Sequence, residues 1–161
     1  MRISFISHLG FVSTEYNCLG QIDRQPLLDI IFTDSTKPTA GPFSGVREFH
    51  DWLSNLTKRY FADPANVPDP MRPMLPDNAP IIFTHGDLHP SNIMISAVGP
   101  CRVLAIIDWQ QSGWYPAYWE YCKAAYTAIP DGEWEIEYLP RFLEIPGGYD
   151  IWEHYSRTLG Y

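Results

Sequence analysis

The sequence predicts a mainly helical α+β domain in which a small β-hairpin carries polar loops. Three short apolar runs, at 81–83, 93–95 and 103–107, are typical of strands, and a Gly-Pro turn within 97–101 separates the last two. Longer segments on either side repeat apolar residues at three- and four-residue steps, as helices do. With 161 residues, of which 45% are hydrophobic, the chain can form one domain with a substantial core.

The part of the chain before residue 81 is expected to hold one clear helix. Residues 1–15 match no pattern, and over 16–43 short apolar runs broken by Pro, Asp and Gly predict small strands and loops. The helix should span 44–61, with Ser44 as its N-cap and His50 away from its buried face. The apolar stripe that predicts this buried face consists of Val46, Phe49, Leu53, Leu56 and Tyr60.

A proline-rich stretch and three further helices complete the predicted elements. Six prolines between 63 and 80 exclude a helix there and predict a surface loop, with an interdomain linker as the alternative. Pro116 fits the first turn of the next helix, which should pack under the polar loops. The buried face of that helix is expected to consist of Trp119, Cys122, Ala125, Tyr126 and Ile129. Asp131 and Asp150 are candidate N-caps for the two helices that follow.

Asp87, Asn92 and Asp108 are the candidate chemical groups, since each lies on a loop beside a predicted strand. Mg²⁺ prefers hard oxygen ligands and keeps several waters, so one carboxylate and one amide oxygen, shared with phosphates, are a sufficient protein contribution. Asn92 and Asp108 suit that role. Asp87, left free of the metal, can accept a hydrogen bond from an incoming hydroxyl and aim its oxygen at a phosphorus atom.

The spacing His85-x-Asp87-x-x-x-x-Asn92, followed by a hairpin and Asp108, is also the order of a kinase catalytic loop and its metal-binding Asp. The segments HGDLHPSNIMI and VLAIIDWQQSGWYPAYWEY resemble the aminoglycoside phosphotransferase and choline kinase-like family, the small-molecule branch of the protein-kinase-like fold. The resemblance implies a family domain over 16–161 that forms the C-terminal lobe of that fold.

The resemblance also implies a role for each motif residue. Asp87 corresponds to the catalytic residue, while Asn92 and Asp108 correspond to the Mg²⁺ ligands that bind the cofactor. His85, His89 and Glu120 correspond to supports of the catalytic loop. ATP is the implied phosphoryl donor, and the acceptor is the hydroxyl of a small molecule whose identity the family leaves open.

The N-terminal lobe that clamps ATP has no counterpart in the sequence. A kinase needs a glycine-rich loop and a strand lysine paired with a helix Glu. The sequence has no G-x-G-x-x-G and only three lysines, Lys37, Lys58 and Lys123, none in such a strand. We therefore expect a truncated chain that turns over ATP poorly by itself. The alternative is a non-catalytic, pseudokinase-like module that binds a small molecule or a protein partner at the surface facing the missing lobe.

Composition and cysteine usage argue against several other classes of function. A net charge of −8 and a pI near 4.9 argue against nucleic-acid binding, and no window is apolar enough for a membrane span. Three widely spaced cysteines and a poor signal-peptide pattern favour a cytoplasmic protein. A metal-dependent hydrolase is a further alternative, because His85, Asp87 and His89 would share one face of a strand. Gly86 and Pro90 favour a loop instead.

Overall fold

Two small antiparallel sheets and several helices form the part of the chain that the structure, a computed structural model, describes: residues 18–33 and 36–161. The strands are β1 (Ile81–Thr84), β2 (Ile93–Ile95), β3 (Val103–Ile106) and β4 (Gly113–Pro116). The α-helices of this part are α1 (Val46–Thr57), α2 (Trp119–Tyr126), α3 (Leu139–Phe142) and α4 (Tyr149–Thr158). Residues 1–15 lie outside the described residues. The expected α+β class is confirmed.

The expected hairpin is present, and β1 has a partner strand that we did not predict. β2 pairs antiparallel with β3, with an irregularity in register between Met94 and Ile95. β1 pairs antiparallel with β4, so that Ile81 faces Pro116 and Thr84 faces Gly113. The expectation that Pro116 opens a helix is therefore wrong. Pro116 ends β4, a position where its missing N–H is tolerated, and α2 begins only at Trp119.

Helix α1 is shorter than predicted and buries one polar residue that we expected to be exposed. Gly45, not Ser44, is its N-cap, while the Ser44 backbone N–H and hydroxyl both donate to Glu48 Oε2 at 2.6 Å. Tyr60 lies beyond the end of the helix and is 78% exposed, so it is not part of the buried face. The confirmed members of that face are Val46, Phe49, Leu53 and Leu56.

His50 is fully buried, contrary to the prediction, because its ring has a partner for each nitrogen. Nδ1 lies 2.9 Å from Asp77 Oδ1, and Nε2 lies 2.6 Å from the Tyr118 hydroxyl. A buried polar ring is tolerated when its hydrogen bonds are made inside the protein. Burial lowers the pKa of His50, although Asp77 opposes that effect. The helix period alone could not reveal these partners, which lie 27 and 68 residues away.

Helix α2 is buried on nearly all sides. Its residues from Trp119 to Ala125 are all buried, including Glu120 and Lys123. The predicted burial of Ile129 is wrong, because α2 ends at Tyr126 and leaves Ile129 80% exposed. A helix with so little polar surface lies inside a domain rather than on it. Helix α2 therefore lies at the centre of the described part of the chain.

The C-terminal helices begin at other residues than the predicted caps. Gly148 is the N-cap of α4, and Asp150 lies within its first turn. Asp131 does not cap a helix; its backbone N–H donates to Glu135 Oε2 at 2.9 Å, and a π-helical turn at Trp134–Tyr138 leads into α3. No helix in the described residues is long and apolar enough to cross a membrane.

Aromatic rings join α1, α2, α4 and β4 into the larger of the two hydrophobic clusters that the described residues form. The Trp119 ring stacks on Tyr115 of β4, with 5.5 Å between centroids, and meets Phe49 of α1 and Trp152 of α4 edge-on. Buried aromatic rings of this size contribute strongly through the apolar area they remove from water. The core therefore fixes β4, and through its pairing β1, relative to α1, α2 and α4.

The proline-rich segment packs against two of these helices. It contains two single turns of 3₁₀ helix, Pro64–Asn66 and Arg72–Met74. Between them, Asp69 Oδ2 accepts hydrogen bonds from the hydroxyls of Ser54 on α1, at 2.5 Å, and Tyr155 on α4, at 2.7 Å. Burial acts to raise the pKa of Asp69, but these bonds and two backbone N–H donors hold it below its ordinary value. The segment is thus a loop anchored to both α1 and α4.

Candidate functional site

The predicted catalytic and metal-binding residues lie on two loops at the same end of the hairpin. Asp87 follows β1, and a single 3₁₀ turn, Pro90–Asn92, leads from it into β2. Asp108 lies two residues after β3. The Ile107 N–H donates to the Asn92 carbonyl at 2.9 Å, which extends the hairpin by one more contact. The structure thereby brings Asn92 and the residue before Asp108 side by side.

His85 connects the two loops through both nitrogens of its ring. Its Nε2 donates to the Ile107 carbonyl at 2.9 Å, and its Nδ1 accepts from the Asp87 N–H at 3.2 Å. A carbonyl can only accept and a backbone N–H can only donate, so this pairing requires the neutral ring with its proton on Nε2. The buried ring therefore has no lone pair left for a metal. Its two hydrogen bonds instead hold the backbones of the two loops together.

Glu120 on α2 holds the backbone at the start of the loop that carries Asp87. Its carboxylate accepts the backbone N–H of His85 at 2.5 Å and that of Gly86 at 3.2 Å. The side chain is buried, and burial raises its pKa from 4.5 to about 7, with the two N–H donors opposing the rise. The loop before Asp87 is thus attached to the central helix by two hydrogen bonds to one carboxylate.

The Asn92 amide is oriented by Asp87. Its Nδ2 donates to the Asp87 carbonyl at 2.9 Å and to Asp87 Oδ2 at 3.2 Å. Because both partners are acceptors, the nitrogen must face Asp87, and Oδ1 faces the other way. Asn92 therefore presents an oxygen, rather than an N–H group, on the side away from Asp87.

Asp108 has an exposed carboxylate and an unusual backbone. It lies in the left-handed region, with φ 64° and ψ 60°, where Asp and Asn are tolerated better than most residues. None of the described residues donates a hydrogen bond to its carboxylate. The Trp109 indole N–H donates to the Ile106 carbonyl at 2.8 Å, and the Trp109 ring packs edge-on against His85 at 4.5 Å. Trp109 thus bonds back to the last residue of β3 and contacts His85 at the start of the loop that carries Asp87.

This donor set fits Mg²⁺ better than zinc. The Asn92 amide oxygen and the Asp108 carboxylate are hard oxygen donors with no other partner among the described residues, as Mg²⁺ prefers. Within 18–33 and 36–161, no group of three His, Cys, Asp or Glu side chains could hold a metal ion. His89 Nδ1 is paired with the Ser91 hydroxyl at 2.9 Å, so His89 shapes its own turn. These contacts count against the zinc-hydrolase alternative.

Three residues near the site escaped the sequence prediction: Asp29, Gln111 and Lys123. Asp29 and Lys123 form a buried ion pair, with 2.8 Å between Nζ and Oδ1. Gln111 ends the 3₁₀ turn after Asp108 and accepts a hydrogen bond from Lys123 Nζ at 3.1 Å. The available signal was a charged residue inside each of two apolar stretches, LLDIIF and YCKAAY. Buried charges almost always have a partner, so these two could have been matched.

Comparison with known proteins identifies the family. The model of the phosphotransferase enzyme family (APH) matches residues 17–156, a range that contains both loops and every candidate site residue. No curated protein and no solved structure matches the chain. Since the family model covers most of the chain, the chain belongs to the phosphotransferase enzyme family.

Proposed function

We propose that this chain supplies the acceptor-orienting and metal-binding half of an ATP-dependent small-molecule phosphotransferase. The observation that carries the proposal is the position of Asn92. Its side-chain nitrogen bonds Asp87, which turns its side-chain oxygen away from Asp87, and its backbone carbonyl accepts the N–H of Ile107, the residue before Asp108. Asn92 thus connects the carboxylate that is proposed to orient the hydroxyl, Asp87, with the proposed metal site. Membership of the phosphotransferase family supports the same class of reaction.

Asp87 is the proposed catalytic residue. Asn92 holds its Oδ2 and its backbone carbonyl, while none of the described residues donates to Oδ1. In the proposed reaction, Oδ1 accepts a hydrogen bond from the acceptor hydroxyl and aims the hydroxyl oxygen at the γ-phosphorus of ATP. As the new P–O bond forms and the bond to ADP breaks, the hydroxyl proton passes to this carboxylate.

Asn92 and Asp108 are the proposed ligands of Mg²⁺. When bound, the ion neutralises negative charge on the phosphates. The two protein oxygens leave most of its coordination positions for water and phosphate oxygens, as is usual for Mg²⁺. His85 and Glu120 act behind these ligands by fixing the loop backbone.

The proposal assigns the clamp on the ATP phosphates to residues outside this sequence. The sequence holds no glycine-rich loop, and Lys123 is buried against Asp29 rather than free to reach a phosphate. Phosphoryl transfer depends almost wholly on positioning and charge stabilisation. This chain alone should therefore transfer phosphate slowly.

The test is phosphoryl transfer from γ-labelled ATP to a panel of small alcohols, including aminoglycosides, choline-like alcohols and amino-acid hydroxyls. Wild type should give a slow Mg²⁺-dependent product that falls at least about 100-fold in Asp87→Asn and Asp108→Asn. The control is Asp131→Asn, which changes another exposed aspartate with a positive φ, 58°, away from the site. Equal product from wild type and Asp108→Asn would refute the proposal. Rapid turnover by the wild-type chain alone would refute the assignment of the phosphate clamp to residues outside this sequence.

A second candidate is a non-catalytic module that binds a protein partner. The hairpin favours it, because its apolar side chains Met94, Ile95, Val103 and Leu104 are 44 to 63% exposed. Exposed apolar side chains grouped in this way often mark a contact with another protein body. If this is the function, Leu104→Ser should abolish the cellular role of the chain while Asp87→Asn leaves it intact. The reverse pattern would leave only the phosphotransferase proposal.

A further inference from the structure

Gln111 is placed between the turn that follows Asp108 and a neighbouring loop. It is the last residue of the 3₁₀ turn Trp109–Gln111. Its side-chain Oε1 accepts two hydrogen bonds, from the Ile30 N–H at 3.0 Å and from Lys123 Nζ at 3.1 Å. Its backbone carbonyl accepts the Tyr115 hydroxyl at 3.2 Å. The residue is thus fixed from both its side chain and its backbone.

The lysine that holds Gln111 is itself locked in place. Asp29 and Lys123 have side chains that are 0% and 3% exposed, and Asp29 Oδ1 accepts from Lys123 Nζ at 2.8 Å and from the Ile31 N–H at 2.9 Å. Asp29 Oδ2 accepts the Trp119 indole N–H at 2.8 Å. Ile31 and Trp119, which donate to Asp29, are both buried in the core. The pair therefore gives Gln111 a rigid point of attachment.

Gln111 also touches the catalytic loop. Gly86 has φ +79°, and a Cβ atom at that position would lie only 2.7 Å from the Gln111 carbonyl oxygen. The backbone of the Asp87 loop therefore lies directly against the backbone of the Asp108 turn. A shift of Gln111 must move one loop, or both, relative to the ion pair.

We propose that Gln111 is a positioning residue that ties the Asp87 loop and the Asp108 turn to one anchor, the Asp29–Lys123 ion pair. This role rests on the proposed function, since it concerns the geometry of the same site. A buried ion pair is weak support for stability, because desolvation offsets its attraction. The proposed role of the ion pair is to fix the position of Gln111. Catalytic and metal-binding groups must be held within about 0.5 Å of their working positions by the residues behind them.

The test compares substitutions of two neighbouring glutamines. Gln111→Leu keeps the size of the side chain and removes the acceptor, while Gln111→Glu keeps the acceptor. Gln110→Leu is the matched control, since Gln110 lies in the same turn and has an exposed side chain. Gln111→Ala, a simple truncation of a half-buried residue, serves if the leucine variant does not fold.

The readouts are Mn²⁺ affinity, from paramagnetic broadening of backbone amides, and the NMR positions of the Gly86 amide and the Trp109 indole N–H. Gln111→Leu should weaken Mn²⁺ binding about tenfold and move both resonances, as loss of residues behind a metal site does. Gln111→Glu should restore the resonances, and Gln110→Leu should change neither readout. Thermal unfolding of each variant separates a local change from loss of the fold.

The outcomes distinguish the two proposals. If wild type binds Mn²⁺ at Asp108 and Gln111→Leu binds it equally well, the positioning role is wrong and the proposed function stands. If wild type binds no Mn²⁺ at Asp108, both are wrong. Weaker binding in Gln111→Leu with rescued resonances in Gln111→Glu supports both.

Discussion

Replacing Glu120 by glutamine should change how the stability of this protein depends on pH. Burial raises the pKa of Glu120 from 4.5 to about 7 in the folded state. The folded protein therefore binds this proton more tightly than the unfolded chain. The stabilising contribution is fully present below about pH 4.5 and is lost as the pH rises through about 7. At 1.36 kcal/mol per pKa unit, the whole loss is about 3 kcal/mol.

Glu120→Gln removes this titration but leaves a hydrogen-bonding mismatch. The two oxygens of Glu120 accept the N–H groups of His85 and Gly86, whereas glutamine has only one acceptor. At pH 5 the Glu120 carboxyl is protonated, but its hydroxyl oxygen can still accept an N–H, which the amide nitrogen of glutamine cannot do. The variant should therefore be less stable than wild type by about 1–3 kcal/mol at this pH. By pH 8 that difference should change by about 2 to 3 kcal/mol in favour of the variant, since a small part of the contribution is already lost at pH 5.

The assay is urea unfolding at pH 5, 6, 7 and 8, followed by circular dichroism and tryptophan fluorescence. Comparing the variant with wild type cancels the titration of the other carboxylates. Glu144→Gln is the control, because that side chain is exposed and the same substitution there should leave the stability difference constant. A difference between wild type and Glu120→Gln that is equal at all four pH values would refute the assigned environment of Glu120.

Two further predictions use pairs of like residues. Gly86→Ala should cost about 3 kcal/mol and Gly99→Ala about 1 kcal/mol by urea unfolding, because both have positive φ but only the Gly86 position also meets a backbone oxygen. Equal costs would contradict the contact between Gly86 and Gln111. Exposed Cys101 should react readily with iodoacetamide, and Cys122, whose burial raises its thiol pKa, only on unfolding. Rapid labelling of Cys122 in the folded protein would contradict its placement.

The sequence was most informative where structure is determined by neighbouring residues. The short apolar runs on either side of the Gly-Pro turn predicted β2 and β3, and α1 kept four of its five predicted core positions. The same runs also placed a hairpin between Asn92 and Asp108, as the structure has it. Strand period, turn residues and helix period act over a few residues, so one sequence is enough to read them.

Prediction failed where contacts join distant parts of the chain. The residues of β4 follow directly after the Asp108 turn, and only pairing with Ile81 to Thr84 makes them a strand. His50 and Lys123 are polar residues that local patterns place at a surface, yet both are buried. His50 bonds Asp77, 27 residues away, and Lys123 pairs with Asp29, 94 residues away. Burial of such groups depends on satisfying their hydrogen bonds in three dimensions, which helix periodicity does not encode.

The most direct test of the central claim is to locate Mn²⁺, used in place of Mg²⁺, by its broadening of assigned NMR signals. Wild type should lose the Asn92 side-chain amide and the Asp108 backbone amide first. Asp108→Asn, which keeps a residue suited to the backbone φ of 64°, should abolish that effect, while Asp131→Asn should preserve it. The same broadening in Asp108→Asn as in wild type, or broadening centred on another part of the chain, would contradict the assignment of these loops as a metal and phosphate site.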